Sequence, residues 1–394
     1  MLSATLDIFR LRQYFNALTR ARQWVDGLRE DAGLAVDVRR AMLPLPSDRP
    51  PERDVHPFGP CEPVDPGPLE GRRLALMATG GSGALASVVG VARALEESGV
   101  RPAVISLCSG SALFGFPLAA GLSAADVAEF VLSLEPSDYV DLDWAKLATL
   151  LPTGGRGFAG MLRGDRVEAT YRSLLGAMTL GELAIPAYAP VWNVEENRLE
   201  YLGPRTTPEL SVARAVRMAI ALPLFVAPVE MQGRSWCDGG IVDIFPVRPV
   251  LDIERERCDL ALAVNGFYPP DFAGEDESGW EDRRASILYV ASQVRTAQQA
   301  ELARVNLARL RSAMEVRMIE PVSYEVVRGV GFYRQFLSTR AWPEFMRAGR
   351  RDARRVLSAP KRPTAGPAPA ASCREDATGR TLPTPKPPRA VRVH

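Results

Sequence analysis

A short apolar run, Leu74–Ala78, is followed at once by Thr79-Gly80-Gly81-Ser82-Gly83 and then by a helical pattern from about Ala84 to Ser98, which Gly99 closes. A second apolar run, Ala103–Leu107, ends in another tight turn, Cys108-Ser109-Gly110. Strand, turn, helix, strand, turn leaves few ways to fold. Two strands joined by a helical crossover lie parallel, so the chain reads as a layered α/β fold built on a parallel sheet.

The remaining segments arrange themselves around this unit. Residues 1–45 read as a helical extension, with Leu6, Phe9, Tyr14, Leu18, Trp24 and Leu28 near helical spacing between charged residues. Residues 46–71 are Pro-rich and read as an extended linker. Residues 72–357 are expected to hold the folded domain. Within it, Ala187–Val194 and Leu199–Leu202 suggest a hairpin around Glu195-Glu196-Asn197, Ser211–Ala221 a helix, and residues 285–315 a long helix. Residues 358–394 are rich in Pro, Ala and Arg with few large apolar residues, and are expected to be disordered. No run reaches the roughly 18 apolar residues that a spanning helix needs, and none resembles a signal peptide. The expected location is cytoplasmic. The N-terminal amphipathic stretch reads as a docking or dimer helix, with contact at a membrane surface as the alternative.

Composition removes several chemistries. Lys+Arg is 48 against Asp+Glu 47, so no global field draws the chain to nucleic acid. There are two histidines, His56 in the Pro-rich stretch and His394 at the end, which weakens any Ser-His-Asp, Cys-His or multi-His mechanism. Lysine is scarce too: Lys146, Lys361 and Lys386 leave few candidates for Schiff-base chemistry. The five cysteines form no C-x-x-C pair, so neither a zinc cluster nor a disulfide framework is expected. No metal and no cofactor is implied.

Three elements carry chemistry. Val104–Leu113 runs an apolar strand into small residues and then a helix, the layout that exposes a nucleophilic serine over a helix N-terminus. The turn Gly80–Gly83 ends the neighbouring strand and offers free N–H groups for an oxyanion. Trp236-Cys237-Asp238-Gly239-Gly240 places an acid at a strand end. With no usable histidine, Asp238 must itself be the base that activates the serine.

In this order, the three elements resemble the patatin-like phospholipase family, which carries a Gly-rich oxyanion loop, a G-x-S-x-G elbow and an Asp-Gly-Gly or Asp-Gly-Ala motif. The resemblance covers about residues 72–270 and extends less fully through helices to about 357. Gly90–Glu97, Ala215–Pro223 and Asp238–Val247 are supporting matches. The resemblance implies a three-layer α/β/α fold with a mainly parallel central sheet. It implies a catalytic Ser109–Asp238 dyad, an oxyanion hole from Gly80, Gly81, Ser82 and Gly83, and hydrolysis of a lipid acyl ester through an acyl-enzyme. Substrates would be phospholipids, lysophospholipids or other acyl lipids, met through peripheral contact at a membrane. The chain departs from the pattern in places. Leu107 and Ser111 stand where the family has elbow glycines, Ser82 where it has the third loop glycine, and Ala84 where it has a loop arginine. Ser111 is the alternative nucleophile, although the spacing from Gly99 and on to Ala119-Ala120-Gly121 favours Ser109. Pro117 predicts a short or kinked helix after the elbow.

Two other functions stay open. The first is a catalytically weak or inactive relative that binds lipid or a partner protein. The second is an NAD(P)-dependent Rossmann-type oxidoreductase, since Thr79–Gly83 also resembles a dinucleotide fingerprint. Against it, residue 142, four before Lys146, is Leu rather than the Tyr such enzymes need. Cys108 and Cys237 adjoin the two dyad residues and read as small buried hydrophobes rather than redox groups. Asp243 reads as a structural acid.

Overall fold

The computed structural model describes residues 56–149, 157–254, 258–272, 287–327, 335 and 339–359. The chain divides into a unit ending at Ala359 and a second, Pro360–His394. The second unit, the helical extension expected over 1–45 and the first part of the Pro-rich stretch all lie outside the described residues.

Strand β1, Leu74–Ala78, is buried at every residue, as a strand flanked by strands and covered on both faces must be. β2, Val104–Ser106, lies parallel on one side and β9, Leu260–Val264, on the other. β10, Glu315–Ile319, extends the parallel sheet beyond β9, and β4, Ala187–Asn193, extends it beyond β2. Three antiparallel strands complete it: β5, Arg198–Leu202; β7, Val229–Met231; and β8, Arg234–Asp238. The order is β10-β9-β1-β2-β4-β8-β7, with β5 paired to β4, eight strands in all. A small second sheet pairs β3, Gly160–Leu162, with β6, Leu224–Val226. The expected hairpin is β4–β5. The fold is mixed α/β with a mostly parallel central sheet.

Side-chain alternation along β1 shows the layering. Leu74, Leu76 and Ala78 join one core, with helices α1 (Ser87–Glu97), α2 (Ser111–Ala120) and α3 (Ala124–Ser133). Ala75 and Met77 join another, with Val250, Leu307 and Leu310. Helix α4 (Asp165–Leu175) and α5 (Val212–Ala219, capped by Ser211) pack with the first core. The long α6 (Ile287–Ala313) packs with the second. Helix α7, Trp342–Leu357, crosses α1 so closely that a Cβ on Gly90 would lie 1.8 Å from the Met346 carbonyl oxygen, and one on Gly349 2.1 Å from that of Ser87. At the end of α1 the buried Glu97 carboxylate meets Arg93 of its own helix and Arg350 and Arg354 of α7. Three guanidinium groups offset the cost of burying that charge. The later part of the Pro-rich stretch lies against this layer. Phe58 and Leu69 are in the core, and the Val64 N–H donates to the Glu97 carbonyl at 2.7 Å.

Helix α2 runs through Pro117 to Ala120 without a break, contrary to the sequence expectation of a short or kinked helix. The physical reason lies in a neighbour. Pro117 has no N–H to give the Leu113 carbonyl four residues earlier. The hydroxyl of Tyr171, from α4, donates to that carbonyl instead at 2.7 Å. Tyr171→Phe orphans the carbonyl while keeping the ring, and should lower stability by about 1–3 kcal/mol. Urea unfolding at constant m-value would show the loss.

Candidate active site

The elbow begins where β2 ends. The Leu107 N–H still donates to the Tyr188 carbonyl of β4, at 2.8 Å. Two residues later Ser109 turns into the left-handed region at φ +49°, and α2 starts at Ser111. A non-glycine residue there carries strain, which here lifts the half-buried Ser109 out of the sheet at the start of a helix. Asp238 arrives from the opposite direction. It is the last residue of the antiparallel β8 and pairs with Val191, three residues past Tyr188 on β4. Strands of opposite sense thus end at one level over β4, and the Ser109 side chain stands beside the Asp238 carboxyl and acts to lower its pKa.

The Asp-Gly-Gly turn fixes that carboxyl. The Gly240 N–H donates to Asp238 Oδ1 at 2.7 Å, and the Asp238 N–H donates to the Ala221 carbonyl. Gln299 of α6 donates to the Gly240 carbonyl at 2.6 Å and accepts from the Tyr268 hydroxyl. Asp243, a few residues on, accepts from Tyr201 and from Asn306, which ties this segment to β5 and α6. That is the structural part expected of it.

Electrostatics distinguish the groups. Asp238 is 1% exposed. Burial pushes its pKa from 3.8 to about 7, against the opposing effects of Ser109, the Gly240 N–H and the charge of Arg295. Arg295, exposed on α6, is a positive charge acting on Asp238, whereas Ala84 leaves the loop without one. Burial raises the Cys108 thiol well above its ordinary value and Cys237 to about 11, so both stay protonated and weakly nucleophilic. His56 is exposed and contacts the backbone of Phe58 and Ala125, and His394 lies outside the described residues.

The Gly-rich turn lies directly against the elbow: a Cβ on Gly110 would sit 2.1 Å from the Gly81 carbonyl oxygen. Its donors are not equivalent. The Gly80 N–H is spent on the Ile244 carbonyl at 3.0 Å, which removes this one of the four expected oxyanion donors. The N–H groups of Gly81, Ser82 and Gly83 have no acceptor among the described residues. Ser111, the alternative nucleophile, is fully buried, and its hydroxyl donates to the Cys108 carbonyl and accepts from the Cys108 N–H.

Leu107 is accommodated by a glycine that the sequence reading missed. A Cβ on Gly115 of α2 would lie 2.2 Å from Leu107 Cδ2, so the space the family clears with an elbow glycine is cleared here from the helix side. Gly115 beside Pro117 in one helix was the available signal. Gln299, Tyr171 and Arg295 gave none, because each acts from a distant segment.

Fold and site together define an α/β protein with a serine–carboxylate pair at a strand-to-helix elbow. Residues 76–251 match the family model for patatin-like phospholipases. Uncharacterized NTE family proteins of Mycobacterium bovis and Mycobacterium tuberculosis are each 27% identical over 196 residues, 49% of this chain and 49% of theirs. The chain therefore spans about half the length of the curated relatives it matches. Among solved structures, VipD from Legionella pneumophila is similar at a TM-score of 0.42 and 16% identity, covering 73% of this chain and 66% of that one. Human GIVD cytosolic phospholipase A2 is similar at 0.40 and 10%, covering 86% and 66%.

Two outcomes follow. Gly115→Ala should destabilise by about 1–3 kcal/mol through overpacking, and Leu107→Ala in the same chain should recover much of that loss in a double-mutant cycle. Asp238 is protonated more readily folded than unfolded, so its contribution to stability is present below pH 4 and is lost as pH rises to about 7. Asp238→Asn should therefore raise the melting temperature relative to wild type more at pH 8 than at pH 4.5.

Proposed function

We propose that this domain hydrolyses lipid acyl esters with Ser109 as nucleophile and Asp238 as its base. The observation that carries the reading is the pairing of a strained elbow serine with an almost wholly buried carboxyl whose pKa stands at about 7. A base poised near the working pH both accepts and returns a proton readily. Asp238 takes the Ser109 proton as Oγ attacks the acyl carbonyl carbon. The N–H groups of Gly81, Ser82 and Gly83 hold the oxyanion. Collapse breaks the ester bond, and the leaving alcohol carries away the proton from Asp238. Water then gives a proton to Asp238 and attacks the acyl-enzyme, and Ser109 regains that proton as the fatty acid departs.

The surroundings favour an apolar acyl group. A narrow cavity with about 510 Å³ of space, its open mouth included, begins at Gly83 of the loop. It runs between Leu113 and Phe114 of α2, Val131 of α3, Tyr171 of α4 and Trp342 of α7. Phospholipids, lysophospholipids and other acyl lipids fit this lining. Among the described residues no helix is long and apolar enough to cross a membrane. Peripheral contact is supported by Leu224, 64% exposed with φ +70°, three residues past the Ala221 carbonyl that holds Asp238. Trp144, 72% exposed, is a further outward apolar side chain. A cytoplasmic enzyme that meets lipid at a membrane surface accords with these features. The Gly115 accommodation of Leu107 speaks for turnover rather than for an inactive lipid binder.

Wild type should be labelled by a fluorophosphonate probe and Ser109→Ala should not, with its esterase kcat lower by at least about 10³-fold. The wild-type rate should climb with pH and level off above about 7 as the Asp238 carboxylate forms. Labelling that survives in Ser109→Ala but disappears in Ser111→Ala would move the nucleophile, and unchanged turnover in Asp238→Asn would end the dyad reading.

A further inference from the structure

Ser82 is 2% exposed, and its hydroxyl has no hydrogen-bond partner among the described residues. A buried hydroxyl left unpaired costs stability and calls for a reason, because an apolar replacement of similar shape would remove the cost. Other buried side-chain atoms without partners among the described residues lie outside this turn. Ser87, for example, sits at the crossing of α1 with Gly349 of α7. Ser82 belongs to the Gly-rich turn itself, between Gly81 and Gly83.

The loop's geometry makes this position chemically special. Gly81 carries φ +156°, and its carbonyl is pressed against Gly110 of the elbow. Ser82 follows in extended backbone at φ −103° and ψ −152°. Its own carbonyl is spent on the Leu85 N–H at 3.0 Å, which starts the turn into α1. The N–H and the hydroxyl of Ser82 thus both remain without a partner among the described residues, in the turn whose Gly81 carbonyl meets the elbow at Gly110. We infer that the Ser82 hydroxyl is a catalytic oxyanion donor, silent in the resting protein and bonded only when the acyl carbonyl oxygen becomes negatively charged. A donor without a ground-state partner loses nothing on binding substrate and gains its bond in the transition state, the condition for raising kcat rather than lowering KM. No proton is transferred: the O–H lends a hydrogen bond that is withdrawn when the carbonyl re-forms. The inference rests on Ser109 being the nucleophile. It gives the chain a side-chain donor where Gly80 has withdrawn its N–H and where Ala84 provides no charge.

The test compares Ser82→Ala, Ser109→Ala and wild type on a short-chain nitrophenyl ester, with fluorophosphonate labelling rates and thermal melts of the same full-length preparations. Ser82→Ala should lose about 10- to 100-fold in kcat, keep KM within about twofold, label more slowly than wild type, and melt at the same temperature or higher. A kcat within twofold of wild type would overturn the proposal and leave Ser109 as nucleophile untouched. A lost kcat with a lowered melting temperature would assign Ser82 a structural part and overturn it as well. Labelling that persists in Ser109→Ala would remove the nucleophile and this inference together.

Discussion

The Gly81 carbonyl oxygen sits where a Cβ on Gly110 would lie, 2.1 Å away. The Gly-rich loop and the strand-to-helix elbow therefore meet backbone to backbone. That contact sets the distance from the loop donors to Ser109, and the fold is arranged to permit it. Two parallel strands must end side by side, β1 into the loop and β2 into the elbow. The helices that follow must start without side chains in the gap. The rule recurs around the site. Gly240 would meet Cys108 and Asp238, Gly239 the backbone of Pro190 and Val191, and Gly115 the Leu107 side chain. Each glycine gives up chain stiffness for closeness.

Burial is the second constraint, and a shift in one direction has different consequences for neighbouring groups. The low-dielectric surroundings that raise Asp238 also hold Cys108 and Cys237 as thiols. One environment thus gives a carboxyl a useful proton affinity and keeps two adjacent sulfurs inert. Solvent would reverse both effects by favouring the charged forms. The apolar packing around Asp238 thus sets the charge state of all three groups.

Much of this was legible in the sequence, for identifiable reasons. β1, its glycine turn, α1 and β2 could be read because buried parallel strands are continuous apolar runs and their turns need glycine. The serine and the aspartate stood out because both sit in short local patterns at strand ends. The partners of those residues could not be read. Gln299 lies 59 residues from Gly240, and Tyr171 lies 58 from Leu113. Nothing local in either residue declares its role. Pro117 shows the limit clearly. Local rules correctly flag a missing donor but cannot say that a tyrosine on another helix will supply one. Gly80 shows the converse, a residue whose type fits an oxyanion loop but whose N–H the Ile244 carbonyl has already claimed.

The crossing of α1 and α7 also imposes an order in time. Glu97 takes its second and third guanidinium partners from Arg350 and Arg354, the latter 257 residues further on. At about 5–20 residues per second, the ribosome needs roughly 13 to 50 s to make the intervening chain. Through that interval the carboxylate at the end of α1 has Arg93 but lacks its two other counter-charges, and the glycine face of α1 has nothing to seat against. The loop that feeds directly into α1 is therefore among the first parts of the site to be synthesised and among the last to be locked. The nascent chain carries Ser109 long before it has the scaffold to hold that residue in place.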